Sequence, residues 1–117
     1  MSMDIHKSIL ENLASGIICF DENGKILYIN PTACKILHIK QENTIGNLYT
    51  DAFDIYPPLC NLIEEIIKND KIILRDELAI IYSTIEIKIG FSSMIMTDEN
   101  FKGYIIIFQD LRIIAKK

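Results

Sequence analysis

Apolar residues recur along this chain at two periods, and the switches between them mark out its elements. Between Pro57 and Asn69, Leu59, Leu62, Ile63, Ile66 and Ile67 fall at i, i+3, i+4, i+7 and i+8. That is the stripe of a helix with one buried face. Glu64 and Lys68 lie four apart on the other face and predict a favourable ion pair. The stretch Ile85-Glu86-Ile87-Lys88-Ile89 alternates strictly, as a strand with one wet face does, and continues to Met96. Before it, Ile72 to Tyr82 reads as a strand with a polar stretch at Arg75-Asp76-Glu77. After it, a turn over Thr97 to Gly103 leads to the strand Tyr104-Ile105-Ile106-Ile107-Phe108. That strand is apolar on both faces, so both faces need cover. One cover is the core helices; the other is the N-terminal helix or a second copy of the chain.

The first half follows the same logic. Ile5, Ile9 and Leu13 form one stripe, predicting a helix from Asp4, its cap, to Ser15, with Gly16 ending it. A hairpin spans Gly16 to Asn30, with strands Ile17–Phe20 and Lys25–Ile29 around Asp21-Glu22-Asn23-Gly24. Asn-Gly is a strong hairpin-turn signal. Asn30 suits a helix N-cap and Pro31 the first helical position, where no donor is lost. The helix Pro31 to His38 turns Ala33, Ile36 and Leu37 inward. Gln41 to Tyr56 is polar, broken by Gly46, and reads as short helical turns with Phe53 in the core. Asp110 caps a last helix that runs to Lys117, with Leu111, Ile114 and Ala115 as its apolar positions.

Composition narrows the function. The chain has 117 residues, half of them hydrophobic, which is one ordinary domain with a sufficient core. Apolar runs such as Tyr104–Phe108 stay far below the roughly 18 residues of a membrane span. Residues 1–12 carry charges throughout and do not resemble a signal peptide. Cys19, Cys34 and Cys60 are an odd number without close spacing, which argues against a disulfide framework or a zinc site and for a reducing, cytoplasmic setting. The net charge is -4, and the only basic cluster is Lys116-Lys117, so direct nucleic-acid binding is disfavoured. No triad order, phosphate loop or metal cluster stands out. Asp76 and Glu77 are strand neighbours pointing to opposite faces, and Glu64 and Glu65 are a solvated helix face. Acid–base or nucleophilic catalysis needs a positioned base, and none is evident.

Helix, hairpin, three helical pieces and three strands resemble, in that order, the PAS domain. Gly16 to Ala33 is similar to that family's opening hairpin and first helix, Asp98-Glu99-Asn100-Phe101-Lys102-Gly103 to its penultimate loop, and Gln109-Asp110-Leu111-Arg112 to its closing acidic motif. Leu111-Arg112-Ile113 departs from the family's frequent Ile-Thr-Glu. The resemblance implies an α+β fold: a five-stranded antiparallel sheet with helices on one face and an N-terminal helix on the other. Residues 1–15 would be that helix, 16–110 the domain and 111–117 the start of an exit helix. It also implies a sensory and dimerisation module of a two-component or transcription-regulating protein, itself no enzyme, linked covalently to a kinase or transcription-activating output domain.

Within that frame each candidate residue has two readings. The apolar helix facing the sheet is either simply packed or encloses a small apolar ligand, lined by Asn30, Ala33, Leu37, Phe53, Leu62, Ile66, Tyr82, Ile87 and Ile89, with Asn30 and Tyr82 as polar anchors. Asp110, Leu111 and Arg112 are the candidate signalling residues, and Ile5, Ile9 and Leu13 the candidate homodimer interface. No cofactor is expected. Flavin-binding relatives carry their reactive cysteine on a later helix, where Gly46-Asn47-Leu48-Tyr49 has none, so Cys34, like Cys19 and Cys60, reads as a packing thiol. Haem-binding relatives use a histidine on the long helix, which lacks one here; His38 reads as meeting a helix dipole and His6 as solvated. No membrane contact is expected.

Overall fold

The computed structural model describes residue 9 and residues 13–112. Five strands form one antiparallel sheet: β1 (Gly16–Asp21), β2 (Ile26–Ile29), β3 (Ile73–Tyr82), β4 (Ile85–Asp98) and β5 (Phe101–Asp110). Their order across the sheet is β2-β1-β5-β4-β3. Between β2 and β3 the chain forms α1 (Pro31–Leu37), a 3-10 turn (Gln41–Asn43), α2 (Tyr49–Ala52) and α3 (Pro57–Asn69). The last strand in sequence therefore lies at the centre, paired to β1 on one side and β4 on the other.

The hydrophobic periods explain the layers. On β4, Ile87, Ile89, Phe91 and Ser93 point inward and are buried, while Glu86, Lys88 and Met94 point outward and are exposed. Ile106 and Phe108 of β5 share the inner face, since they pair with Ser93 and Phe91. Against this face lie Leu59, Leu62, Ile63 and Ile66, the buried stripe of α3. Ile67, at the stripe's margin, is only partly buried. The outer face is also apolar: Ile105 and Ile107 of β5 are half-buried there.

Several expectations are corrected. The hairpin β4–β5 is longer than expected, because Thr97 and Asp98 still pair with Lys102 and Phe101 and only Glu99 and Asn100 turn. Polar side chains at an exposed hairpin tip show no hydrophobic alternation, so the pairing left no trace in the pattern. The β1–β2 connection is shorter than the expected Asp21–Gly24, because Asp21 still belongs to β1. Glu22, Asn23 and Gly24 make a three-residue loop, with the Asp21 carboxylate accepting from the Asn23 and Lys25 amides at 2.9 Å each. Gly24 sits at φ +87, a left-handed conformation glycine adopts freely. Lys25, expected in β2, instead bridges to Leu48. Glu64 and Lys68 are not among the ion pairs of the described residues; Lys71 reaches Glu65 at 3.0 Å. Exposed pairs contribute little, so either arrangement is nearly neutral.

The N-terminal helix does not continue to Ser15. Ile9 has helical backbone, but Leu13 to Ser15 do not. Their carbonyls are taken by α1's entry: Thr32 Oγ1 donates to Leu13 and Asn30 Nδ2 to Ser15. Ile5, Ile114 and Ala115, and most of the two terminal helices, lie outside the described residues. His38 is not the last residue of α1 but its left-handed cap, at φ 58.

Candidate functional site

Two places gather the candidate residues: the interface between α3 and the sheet, and the junction where β5 ends. At the first, Ala33, Leu37, Phe53, Leu62, Ile66, Ile87 and Ile89 belong to one buried cluster with Phe20, Tyr56 and Ile106. The fold thus brings together most of the residues the sequence singles out, within the buried core. Tyr56 is part of this cluster. Its ring is fully buried and its hydroxyl donates to the Leu37 carbonyl at 2.6 Å. Burial first, then the nearby Tyr82, pushes its pKa up to about 12.

The two polar candidates are engaged elsewhere. Asn30 is fully buried; its Oδ1 accepts from the Ile17 and Ala33 amides at 2.9 Å each, and its Nδ2 donates to the Ser15 carbonyl at 2.9 Å. It caps α1 and clamps that helix to the start of β1. Tyr82, near the β3–β4 turn, stacks on His38 with ring centroids 4.0 Å apart and planes 12° from parallel. That stack joins α1's end to the sheet's edge.

At the second place, Asp110 closes β5 on the inner face with its side chain only 5% exposed. Its carboxylate accepts from the Arg112 amide at 2.9 Å, as a helix cap does. The Arg112 guanidinium returns onto the same carboxylate, Nε to Oδ1 at 3.0 Å and Nη2 to Oδ2 at 2.8 Å. This fork-on-carboxylate geometry is the strong form of an ion pair. It holds the Asp110 carboxyl below the usual carboxylate range, against the opposing effect of burial. Leu111 turns to the outer face and lies on Gly90 of β4, where a Cβ would come within 3.2 Å of it. There it lines a groove of about 200 Å³ with Leu74, Gly90, Ile107 and Gln109.

The PAS family model matches residues 6–111 of this chain. The chain belongs to the PAS family. The sensor kinase AtoS of Escherichia coli K12, described as a signal transduction histidine-protein kinase, is 28% identical over 106 residues, covering 88% of this chain and 17% of the kinase. This PAS domain therefore spans about a sixth of that curated relative. Among solved structures, the E. coli DhaR(N)-DhaL complex contains a chain similar to it at TM-score 0.73 and 17% identity, covering 92% of this domain and 35% of that chain. A PAS domain from a two-component sensor histidine kinase aligns at TM-score 0.72 and 13% identity, covering 93% and 96%. The PAS domain of Bordetella pertussis BvgS aligns at 0.72 and 12%, covering 98% and 93%. At these identities the likeness carries the fold alone.

One polar cluster of this PAS domain escaped the sequence reading. Tyr104 of β5, its ring buried against Phe20, donates its hydroxyl to Asp70, the left-handed cap of α3. Lys102 Nζ reaches the other oxygen of Asp70 at 2.7 Å. Next to it, Ser93 Oγ donates to the Lys71 carbonyl and accepts from the Ile73 amide, both at 3.0 Å. The α3–β3 connection is thereby held from β5 and from β4. Asp70, Ser93 and Lys102 are far apart in sequence, and the one available signal was Ser93, a hydroxyl at an inward position between Phe91 and Ile95. The three cysteines are free and partly buried. Burial raises all three thiol pKa values, that of Cys19 to about 11. No helix of the described residues is long and apolar enough to cross a membrane.

Proposed function

We propose that this PAS domain is a sensory and dimerisation module of a cytoplasmic signalling protein, passing its state to a covalently linked output domain through the helix that begins at Leu111. The observation that carries this reading is the Asp110–Arg112 junction. The strand that ends there is the central one, flanked by β1 and β4, so any shift of the sheet reaches Asp110 directly. The carboxylate holds the first turn of the outgoing backbone by both an amide and a guanidinium. A buried carboxylate with one bidentate partner has few alternative arrangements, which suits a two-state relay.

The relation to AtoS supports a kinase as the output domain, and a transcription activator is the second candidate. Homodimerisation through the N-terminal helix and the sheet's outer face agrees with the half-buried Ile105 and Ile107 on that face. The domain itself is read as non-catalytic and without haem or flavin. The long helix α3 carries no histidine, and the raised thiol pKa values make poor nucleophiles. Direct nucleic-acid binding remains disfavoured by the net charge of -4.

The test is a chimera in which this chain replaces the matching region of AtoS. Asp110→Ala and Arg112→Ala should each change autophosphorylation by about tenfold, a free-energy shift of about 1.4 kcal/mol, while circular dichroism stays that of the parent. Phosphorylation unaltered by either change would rule out transmission through this junction. Sedimentation of the isolated chain tests the dimer, and a strict monomer at high micromolar concentration counts against it.

A second reading is a metabolite sensor with an apolar ligand between α3 and the sheet. It is favoured by the wholly apolar lining at Leu37, Phe53, Leu62, Ile66 and Ile87. A ligand there must displace core side chains, so its binding should raise Tm in a metabolite screen and leave a bound mass in native spectrometry. A screen without any shift removes this reading.

A further inference from the structure

The two edges of the sheet are treated differently. The β2 edge is covered: the Ile26 amide donates to the Asn47 carbonyl and the Gly46 amide to the Ile26 carbonyl, both at 2.8 Å. Among the described residues, the β3 edge pairs with β4 alone. Its first half carries ordinary protection, a register shift between Ile73 and Asp76 and the charges of Arg75, Asp76 and Glu77. Its second half, Leu78-Ala79-Ile80-Ile81-Tyr82, is five uncharged residues in a row, with Ile81 62% exposed. A long, apolar, uncovered edge is a template for another strand.

Backbone geometry says which residues offer it. Ser83 and Thr84 alone connect Tyr82 to Ile85, and Ser83 is left-handed at φ 58, so Tyr82 and Ile85 form the hydrogen-bonded pair that closes the hairpin. Alternation then turns Ile80 and Leu78 toward β4, and leaves the N–H and C=O groups of Ala79 and Ile81 pointing out of the sheet.

We propose that this half-edge is a self-association surface, where β3 pairs antiparallel with β3 of a second copy about a two-fold axis at Ile80. In that register Ala79 of each copy exchanges both backbone hydrogen bonds with Ile81 of the other. Leu78 faces Tyr82, and Ile80 faces its own equivalent. Charge selects this register. Arg75, Asp76 and Glu77 then run past the end of the partner's β3 at Tyr82, beside its uncharged Ser83-Thr84 turn, and face no residue of the apolar segment. Centring the pair on Leu78 instead would set Asp76 against Ile80 and Glu77 against Ala79, driving two carboxylates into the apolar segment. The surface is distinct from the outer-face dimer proposed above. It joins sheets edge to edge, so the two contacts together would build assemblies larger than a dimer.

The test is amide hydrogen exchange of the whole chain across a concentration series, read at single residues by NMR. The Ala79 and Ile81 amides should slow by about tenfold or more as the chain associates. Ala79→Pro removes one outward donor at an edge position that tolerates proline, and Ile81→Lys adds a charge at the seam. Each should weaken association by about tenfold in sedimentation, while melting in dilute solution keeps the parent Tm. If association proceeds with these two amides still exchanging freely and with both variants behaving as the parent, the edge is not the contact, and the outer-face dimer stands alone. A chain that stays monomeric overturns both. Slowing of these amides only on addition of an extended peptide would replace the second copy with a peptide partner and overturn the proposal as stated.

Discussion

The hydroxyl of Tyr104 donates to the carboxylate of Asp70, so the central strand grips the last turn of the long helix. The ring of Tyr104 is buried while its oxygen reaches the rim, and Lys102 completes the contact from two residues away. The hydrogen bond from Lys102 first, then that from Tyr104, holds the Asp70 carboxyl below its ordinary range.

Acid should loosen this domain at two defined carboxylates. Asp70 and Asp110 both have lowered folded-state pKa values. Their contribution is therefore present above the unfolded Asp value and is lost as pH falls through the folded one, from about pH 5 downward. Tm measured from neutral to about pH 3 should fall, and it should fall less steeply in the double variant Asp70→Asn, Asp110→Asn. An identical slope in parent and variant would assign the acid response to other groups.

Asn30→Ala should be among the costliest polar substitutions. It removes the α1 cap and leaves the Ile17 amide and the Ser15 carbonyl without this side chain. The expected loss is about 2–3 kcal/mol by urea titration. A loss below half of that would mean water replaces the amide.

Tyr56→Phe keeps the ring and deletes its hydrogen bond to the Leu37 carbonyl. Unfolding free energy should drop by about 1–2 kcal/mol. In the parent, ionisation of this tyrosine followed by ultraviolet difference spectra should come late, near pH 12.

Thiol labelling at pH 8 should rank the native chain far below the unfolded one. With Cys19 at a pKa of about 11, only about one molecule in a thousand carries that thiolate at pH 8. Rapid modification of Cys19 in the folded protein would contradict the burial described here.

The elements most legible in the sequence were those whose signal is local. The stripe of α3, the alternation of Ile85 to Ile89 and the Asn30-Pro31 start of α1 each lie within a few residues of one another, and each element formed where its pattern stood. The candidate core set also converged, because inward parity on a strand and one helix face suffice to pick it. What could not be read depends on distant partners. Nothing near Asp70 announces Tyr104, 34 residues later, and nothing near Tyr82 announces His38. The commitment of Asn30 to Ser15 and Ile17 was half visible, as a cap without its clamp. Ends of elements were misjudged where pairing continues through polar residues, as at Thr97, Asp98 and Lys102.

The contact between Gln109 Nε2 and Ser15 Oγ, at 3.2 Å, puts the chain's way in beside its way out. A domain with neighbouring ends can be spliced into a connecting segment without forcing the flanking parts apart. In such a setting, torque applied by a preceding segment at Ser15 meets the following segment at Gln109 through this side-chain contact and through the adjoining ladder, where Gly16 pairs with Phe108.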